Sequence, residues 1–150
     1  MKRTHKVLAG VAAGFLLIGS GALAQNTDVI KERQQVMKMN AQAGKQANAI
    51  IKGETPFDAA KSDELFRMLN ADARKFATLF PDDSKTGGNT EASPAIWEKP
   101  AEFKAANDKF IADTQAAVDA KPQDVASFEA SFKTVAANCQ SCHQQFRQRN

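Results

Sequence analysis

After the first 24 residues, apolar and small side chains recur at alternating steps of three and four, the spacing that gathers them on one side of an α-helix. Gly, Pro and polar clusters interrupt this pattern and divide the chain into four long helices. The first runs from about Thr27 to Ile51 and stops at Gly53. Its seam is Ile30, Arg33, Met37, Asn40, Gly44, Ala47 and Ile51. Thr55-Pro56 is expected to open the second, with Thr55 as N-cap and Pro56 at the first helical position. Leu65, Leu69, Phe76 and Leu79 supply its buried stripe, and Pro81 ends it. Residues 82–93 are polar, aperiodic and Gly-containing, hence a loop, and Ser93-Pro94 caps a short turn carrying Ile96 and Trp97. The third helix spans about Pro100 to Ala120, with Phe103, Ala106, Phe110, Thr114 and Ala117 on one side. The fourth begins near Asp124 and continues to the C-terminus. Its seam is Val125, Phe128, Phe132, Val135, Cys139, Cys142 and Phe146, so both cysteines are expected to face the other helices.

The chain has no Tyr, little strict alternation and abundant Ala, Lys, Gln and Glu, which disfavours a sheet. The expected fold is all-α, an antiparallel up-down four-helix bundle.

Residues 1–24 stand apart. Lys2, Arg3 and Lys6 precede an uncharged stretch from Val7 to Ala22, and Ala22-Leu23-Ala24 has the small-x-small pattern of a signal-peptidase site. A retained membrane anchor of similar length is the competing reading. The well-formed cleavage site and the polar sequence after it favour a cleaved signal peptide, export to the periplasm and a single domain over 25–150. Export changes the charge balance. Of the 20 basic residues three lie in the leader, leaving 17 against 17 acidic ones. The total therefore implies no nucleic-acid partner and no stable membrane association after cleavage.

Cys139 and Cys142 are the only cysteines, and His143 is the only histidine beyond the leader's His5. A disulfide over so short a spacing would close a tiny loop and constrain the unfolded chain little. Structural zinc needs four ligands, one more than these residues supply. A redox-active C-x-x-C normally accompanies a βαβ pattern, which is missing here. Cys139-Gln140-Ser141-Cys142-His143 does match the C-x-x-C-H haem attachment signature. Two thiols one turn apart reach two vinyl groups of one porphyrin, and His143, about 40° round the helix from Cys139, can turn its imidazole to the iron. One covalent haem c per chain is the implied cofactor.

A C-x-x-C-H near the end of a four-helix chain resembles the class II c-type cytochromes, cytochrome c′ and its low-spin relatives. The resemblance extends through Asp28-Val29-Ile30-Lys31-x-Arg33-Gln34-x-x-Met37, Lys52-Gly53-x-x-Pro56-Phe57-Asp58-Ala59-Ala60, Phe80-Pro81, Ser93-Pro94-Ala95-Ile96-Trp97 and Phe146-Arg147. An up-down bundle is the established topology of cytochrome c′, so agreement on the fold is not independent. The resemblance implies that Met37 faces the distal side of the haem, that Arg33 and Gln34 lie near its propionates, and that Arg147 contacts the proximal side. Family members are often homodimers through their first two helices. Two readings of Met37 stay open at this point. As an axial ligand it would give Met/His iron and an electron carrier of the low-spin kind. As a packing side chain it would leave five-coordinate iron able to bind nitric oxide or carbon monoxide. Trp97, Phe128 and Phe132 read as core packing. An enzymatic role is disfavoured, because efficient peroxide cleavage calls for distal acid-base groups and no second histidine follows the leader. No residue names the redox partner proteins.

Overall fold

The computed structural model describes residues 26–148, so the signal peptide expected over residues 1–24 lies outside the described residues. The chain forms α1 (Thr27–Ile51), α2 (Ala59–Phe76), a 3₁₀ turn (Asp82–Ser84), α3 (Ala95–Glu98), α4 (Pro100–Ala120) and α5 (Val125–Phe146). The four long helices make an all-α, up-down bundle in which α1 and α4 each pack against α2 and α5. The single-turn α3 sits in the long connection. No helix among the described residues is long and apolar enough to cross a membrane.

Local chemistry accounts for the helix ends. The Asn26 side chain accepts the Val29 N–H and starts α1. At α5, Asp124 and Ser127 form a reciprocal capping box. Lys121 takes a left-handed conformation (φ 45°) to close α4 ahead of Pro122.

The start of α2 differs from expectation. Thr55 and Pro56 stay outside the helix, and Asp58 is the N-cap, its carboxylate accepting the Lys61 N–H at 2.9 Å. Glu54 and Thr55 instead donate their backbone N–H groups to Ala49 O, continuing the turn at Gly53 (φ 73°). That turn holds Thr55 in the close of α1, so the next free capping carboxylate, Asp58, takes over. The far end also falls short of Pro81: after Phe76 the chain tightens into i→i+3 turns, Thr78 to Lys75 and Leu79 to Phe76.

The buried stripe of α1 is rotated from the expected seam. Ile30, Arg33 and Ala47 are buried as expected, but Val36, Ala43 and Ile50 are buried in place of Met37, Gly44 and Ile51. On α5, Cys139 and Val125 are exposed while Asn138 is buried. In projection Cys139 still lies within about 20° of the buried Phe128 and Phe132, on the seam expected of it.

Two apolar clusters hold the bundle. The larger joins Ala43, Ala47 and Ile50 to Leu65, Phe66, Leu69, Val118, Phe128, Phe132 and Val135. The second, at the other end, gathers Ile96, Phe103 and Phe146 with Phe76, Phe80, Trp97 and Cys142 around them. Its rings meet edge to face, Phe80 on Phe103 at 4.7 Å and Phe103 on Phe146 at 5.3 Å between centroids. Trp97, Phe128 and Phe132 are packing residues, as expected; Trp97 also donates its indole N–H to Phe80 O at 3.0 Å.

Candidate functional site

The orientation of Cys139, Cys142 and His143 follows from which edge of α5 meets which neighbour. Asn138 donates to Asp113 of α4, so that edge faces α4. Cys139 lies about 100° further round, between the buried Phe128 and Phe132 in projection, and His143 about 140°, at the border of that stripe away from the α4 edge. The same construction applies to α1. Glu32 pairs with Lys75 of α2 at 2.7 Å, marking the edge that faces α2. Met37 is about 140° and Gly44 about 120° round from it, on the edge toward α5. Register agrees with rotation. The helices are antiparallel, and Ala43 and Ile50 share a cluster with Val135 and Phe128. Equal steps toward the other end of the bundle bring Met37 level with Cys142 and His143.

The space between these edges is open at α1. A Cβ added at Gly44 would meet no atom within 4 Å. Met37 is half-buried and belongs to neither apolar cluster. His143 also borders a shallow surface depression with Gln140, Gln144 and Arg147, all on α5 or its C-cap. A flat, largely apolar macrocycle fits this setting: room beside a glycine, two thiols and an imidazole on one edge, a thioether on the other.

The donors have the right chemistry. No disulfide joins the two thiols. Cys142 is half-buried against the aromatic cluster, whereas Cys139 is exposed. Desolvation pushes both thiols above their ordinary range, and at Cys142 the neighbouring Cys139 adds to the rise. Neither is the acidified thiol that disulfide exchange uses. His143 is pushed below its ordinary value by desolvation and by Arg147, against an opposing effect of Glu91. Its imidazole is therefore neutral at pH 7, the form that ligates a metal.

The residues set beside the propionates by resemblance also bond to the loop. The terminal N–H groups of Arg33 go to Leu79 O, Ser84 O, Ser84 Oγ and Thr90 Oγ1. Gln34 Nε2 donates to Gly88 O at 2.9 Å and Asn89 O at 3.3 Å. Both side chains bind the 79–90 segment to α1. Arg147 pairs with Glu91, Nε and Nη2 each at 2.6 Å from Oε2. Around that pair the backbone is stitched to the loop by Ser93 N to Phe146 O and Gln148 N to Glu91 O, both 2.9 Å. Glu91, Ser84 and Thr90 were not singled out from sequence. They lie in the aperiodic loop, where no local pattern marks a partner.

The comparisons give the family and the fold. Residues 28–147 match the family model described as Cytochrome C′. A cytochrome c′ of Rhodopseudomonas palustris is 39% identical over 142 residues, covering 95% of this chain and 97% of the relative. A cytochrome c-556 of Agrobacterium fabrum is 36% identical over 133 residues, covering 89% of each. The solved structure of cytochrome c′ from Rhodopseudomonas palustris superposes with a TM-score of 0.77 at 40% identity, over 82% of this chain and 98% of that one. The chain belongs to the cytochrome c′ family, the class II c-type cytochromes that carry covalent haem c.

Proposed function

We propose that this c-type haem protein is a periplasmic electron carrier, exported by a signal peptide cleaved after Ala24. Cys139 and Cys142 would hold the haem through thioethers, and His143 and Met37 would ligate its iron. The observation that carries this reading is the meeting of two edges: Cys139 and His143 on the α1-facing side of α5, Met37 and Gly44 on the α5-facing side of α1. Bound there, haem supplies one-electron cycling between ferric and ferrous iron.

The chain's own part is positional. His143 is presented from the last turn of a helix whose end is tied to the 91–93 segment, so backbone hydrogen bonds hold that turn in place. Met37 brings a soft thioether from a rigid helix, and Met/His ligation raises the potential and suits electron transfer. The rings of Phe76, Phe80, Phe103, Phe146 and Trp97 exclude water beside Cys142. Arg147, held by Glu91 next to His143, lies on the proximal side. No acid-base residue is needed.

A second reading leaves iron five-coordinate and makes the protein a binder of nitric oxide or carbon monoxide. It draws on the half-buried Met37 and on the similarity to proteins named cytochrome c′ as well as cytochrome c-556. Ferric and ferrous absorption spectra of protein matured in a periplasm, recorded with and without carbon monoxide, decide between them. Electron transfer with Met37 ligation gives a low-spin spectrum that carbon monoxide changes slowly. A high-spin ferrous spectrum with prompt carbon monoxide binding would transfer the assignment to the second reading. The mass of the mature protein tests cleavage after Ala24.

A further inference from the structure

Along α1 and its C-cap every seventh residue is a lysine: Lys31, Lys38, Lys45 and Lys52. Seven residues fall about 20° short of two full turns, so the four form one line that drifts by about 60° and spans about 31 Å. All four are exposed. Lys45 lies about 160–180° round from the buried Val36, Ala43 and Ala47, so the row follows the side of α1 turned from the core. Lys31 pairs with Asp28 at 3.2 Å. None of the ion pairs among the described residues includes Lys38, Lys45 or Lys52. Residues 33–53 carry no acidic side chain, although the chain beyond the leader balances 17 basic against 17 acidic residues. On α4, by contrast, Lys104 and Lys109 each meet an aspartate one turn on, Asp108 and Asp113, as is usual for lysines on a solvated helix. The outer face of α1 lacks those counter-charges.

Met37 and Gly44 each stand one residue before a lysine of the row, about 100° round, so the row borders the edge of α1 proposed to face the haem. We propose that Lys38, Lys45 and Lys52 dock the acidic face of a partner protein and seat it beside that edge. Its use in electron transfer rests on the function proposed above; the docking itself does not. Gln34, set beside the propionates by resemblance, stands about 16 Å along the axis from Lys45 and about 27 Å from Lys52. Haem carboxylates therefore do not supply the missing counter-charges there. Packed on a second copy about a two-fold axis, the row would meet itself, like charge against like. A lipid surface calls for apolar anchors beside the charges, and the one large hydrophobic side chain exposed on α1 is Met39. An acidic protein needs only complementary charge to be steered in and held weakly, as in short-lived redox encounters.

The test titrates the isotope-labelled mature holoprotein with poly-L-glutamate as the acidic probe, at low and at near-physiological salt. Amide shifts should move first along residues 34–53, and binding should weaken as salt rises. Lys38→Gln, Lys45→Gln and Lys52→Gln together keep helix propensity and should weaken binding about tenfold. Lys61→Gln, Lys121→Gln and Lys133→Gln remove the same charge from exposed lysines off the row. That control should change binding by less than about twofold. Equal weakening in both triple variants would overturn the proposal, because net charge alone would then account for it. So would no binding, or shifts centred on another face. Vesicles of phosphatidylglycerol in phosphatidylcholine, and sedimentation of the protein alone, test the other occupants. Row-dependent binding to vesicles in preference to polyglutamate, or row-dependent self-association, would overturn the assignment to an acidic protein. Colourless protein that still bound polyglutamate through the row would instead defeat the haem reading and leave the docking surface standing.

Discussion

Asn138 donates a hydrogen bond from Nδ2 to Asp113 Oδ2 at 2.7 Å, joining α5 to α4. Asn138 is 5% exposed and occupies the buried place next to Cys139. By holding that edge of α5 on α4, the bond turns Cys139 and His143 toward α1.

Replacing Asn138 by Ala should cost about 1.5–3 kcal/mol of stability near neutral pH, the range for a hydrogen bond to a charged group. The loss should depend on pH. Desolvation raises the Asp113 pKa, but the bond from Asn138 and the Lys109 ion pair outweigh it and hold the carboxyl below its usual range. A folded pKa below the unfolded one means a contribution fully present above the unfolded value, about 3.9, and lost as pH falls through the folded value. Denaturant unfolding at pH 7 and pH 3 should give a gap between wild type and variant that narrows in acid. A gap that widened would refute the assignment of this bond.

Met37→Ala should leave the haem attached, because both thioethers come from α5. If Met37 ligates iron, the ferrous spectrum turns high-spin and carbon monoxide binds promptly. The helix itself should lose little, about 1–2 kcal/mol, since the side chain is half-buried. A low-spin variant would show that another group, or none on α1, completes the coordination.

Two glycines should respond in opposite directions to the same change. Gly44→Ala adds a methyl where nothing lies within 4 Å and restores helix propensity, so the haem-free chain should gain about 0.5–1 kcal/mol. Gly88→Ala meets a positive φ of 55° and Ile30 Cγ2 at 3.0 Å, and should lose about 1–2 kcal/mol. Gly44→Trp should fill the opening and reduce haem attachment, read by haem staining of a denaturing gel. Full attachment in that variant would count against haem lying between α1 and α5.

Phe128→Ala removes a fully buried ring that meets Phe66 at 5.3 Å and Phe132 at 6.2 Å. A loss of about 3–5 kcal/mol is expected from thermal or denaturant unfolding. The haem spectrum should not change, because this ring belongs to the cluster remote from Cys142.

Much of the architecture was legible from periodicity and punctuation. The bounds of α1 and α4 came out as read, and Asp124 capped the last helix. The second helix did not begin at Thr55-Pro56, since the Gly53 turn drew Thr55 back onto α1 and a better-placed carboxylate followed. At the site, the C-x-x-C-H spacing was plain, and so was Met37 as the thioether to consider. The partners of Arg33, Gln34 and Arg147 were not. Each is bonded to a loop whose composition predicts only that it is a loop.

The chain's own order of residues therefore determined four amphipathic helices, their connections and a C-terminal turn bearing two thiols and an imidazole. These depend on φ/ψ preferences and on spacing within one or two turns, which short stretches carry in full. Only the tertiary structure decided how far each helix is rotated: Val36, Ala43 and Ile50 buried on α1, Asn138 buried against α4, and Arg33 buried among loop acceptors. Those outcomes depend on pairings between residues 25 to 57 positions apart. Helical periodicity defines an apolar side, but the neighbour that covers it, and to which edge, is settled by contacts that only folding brings together.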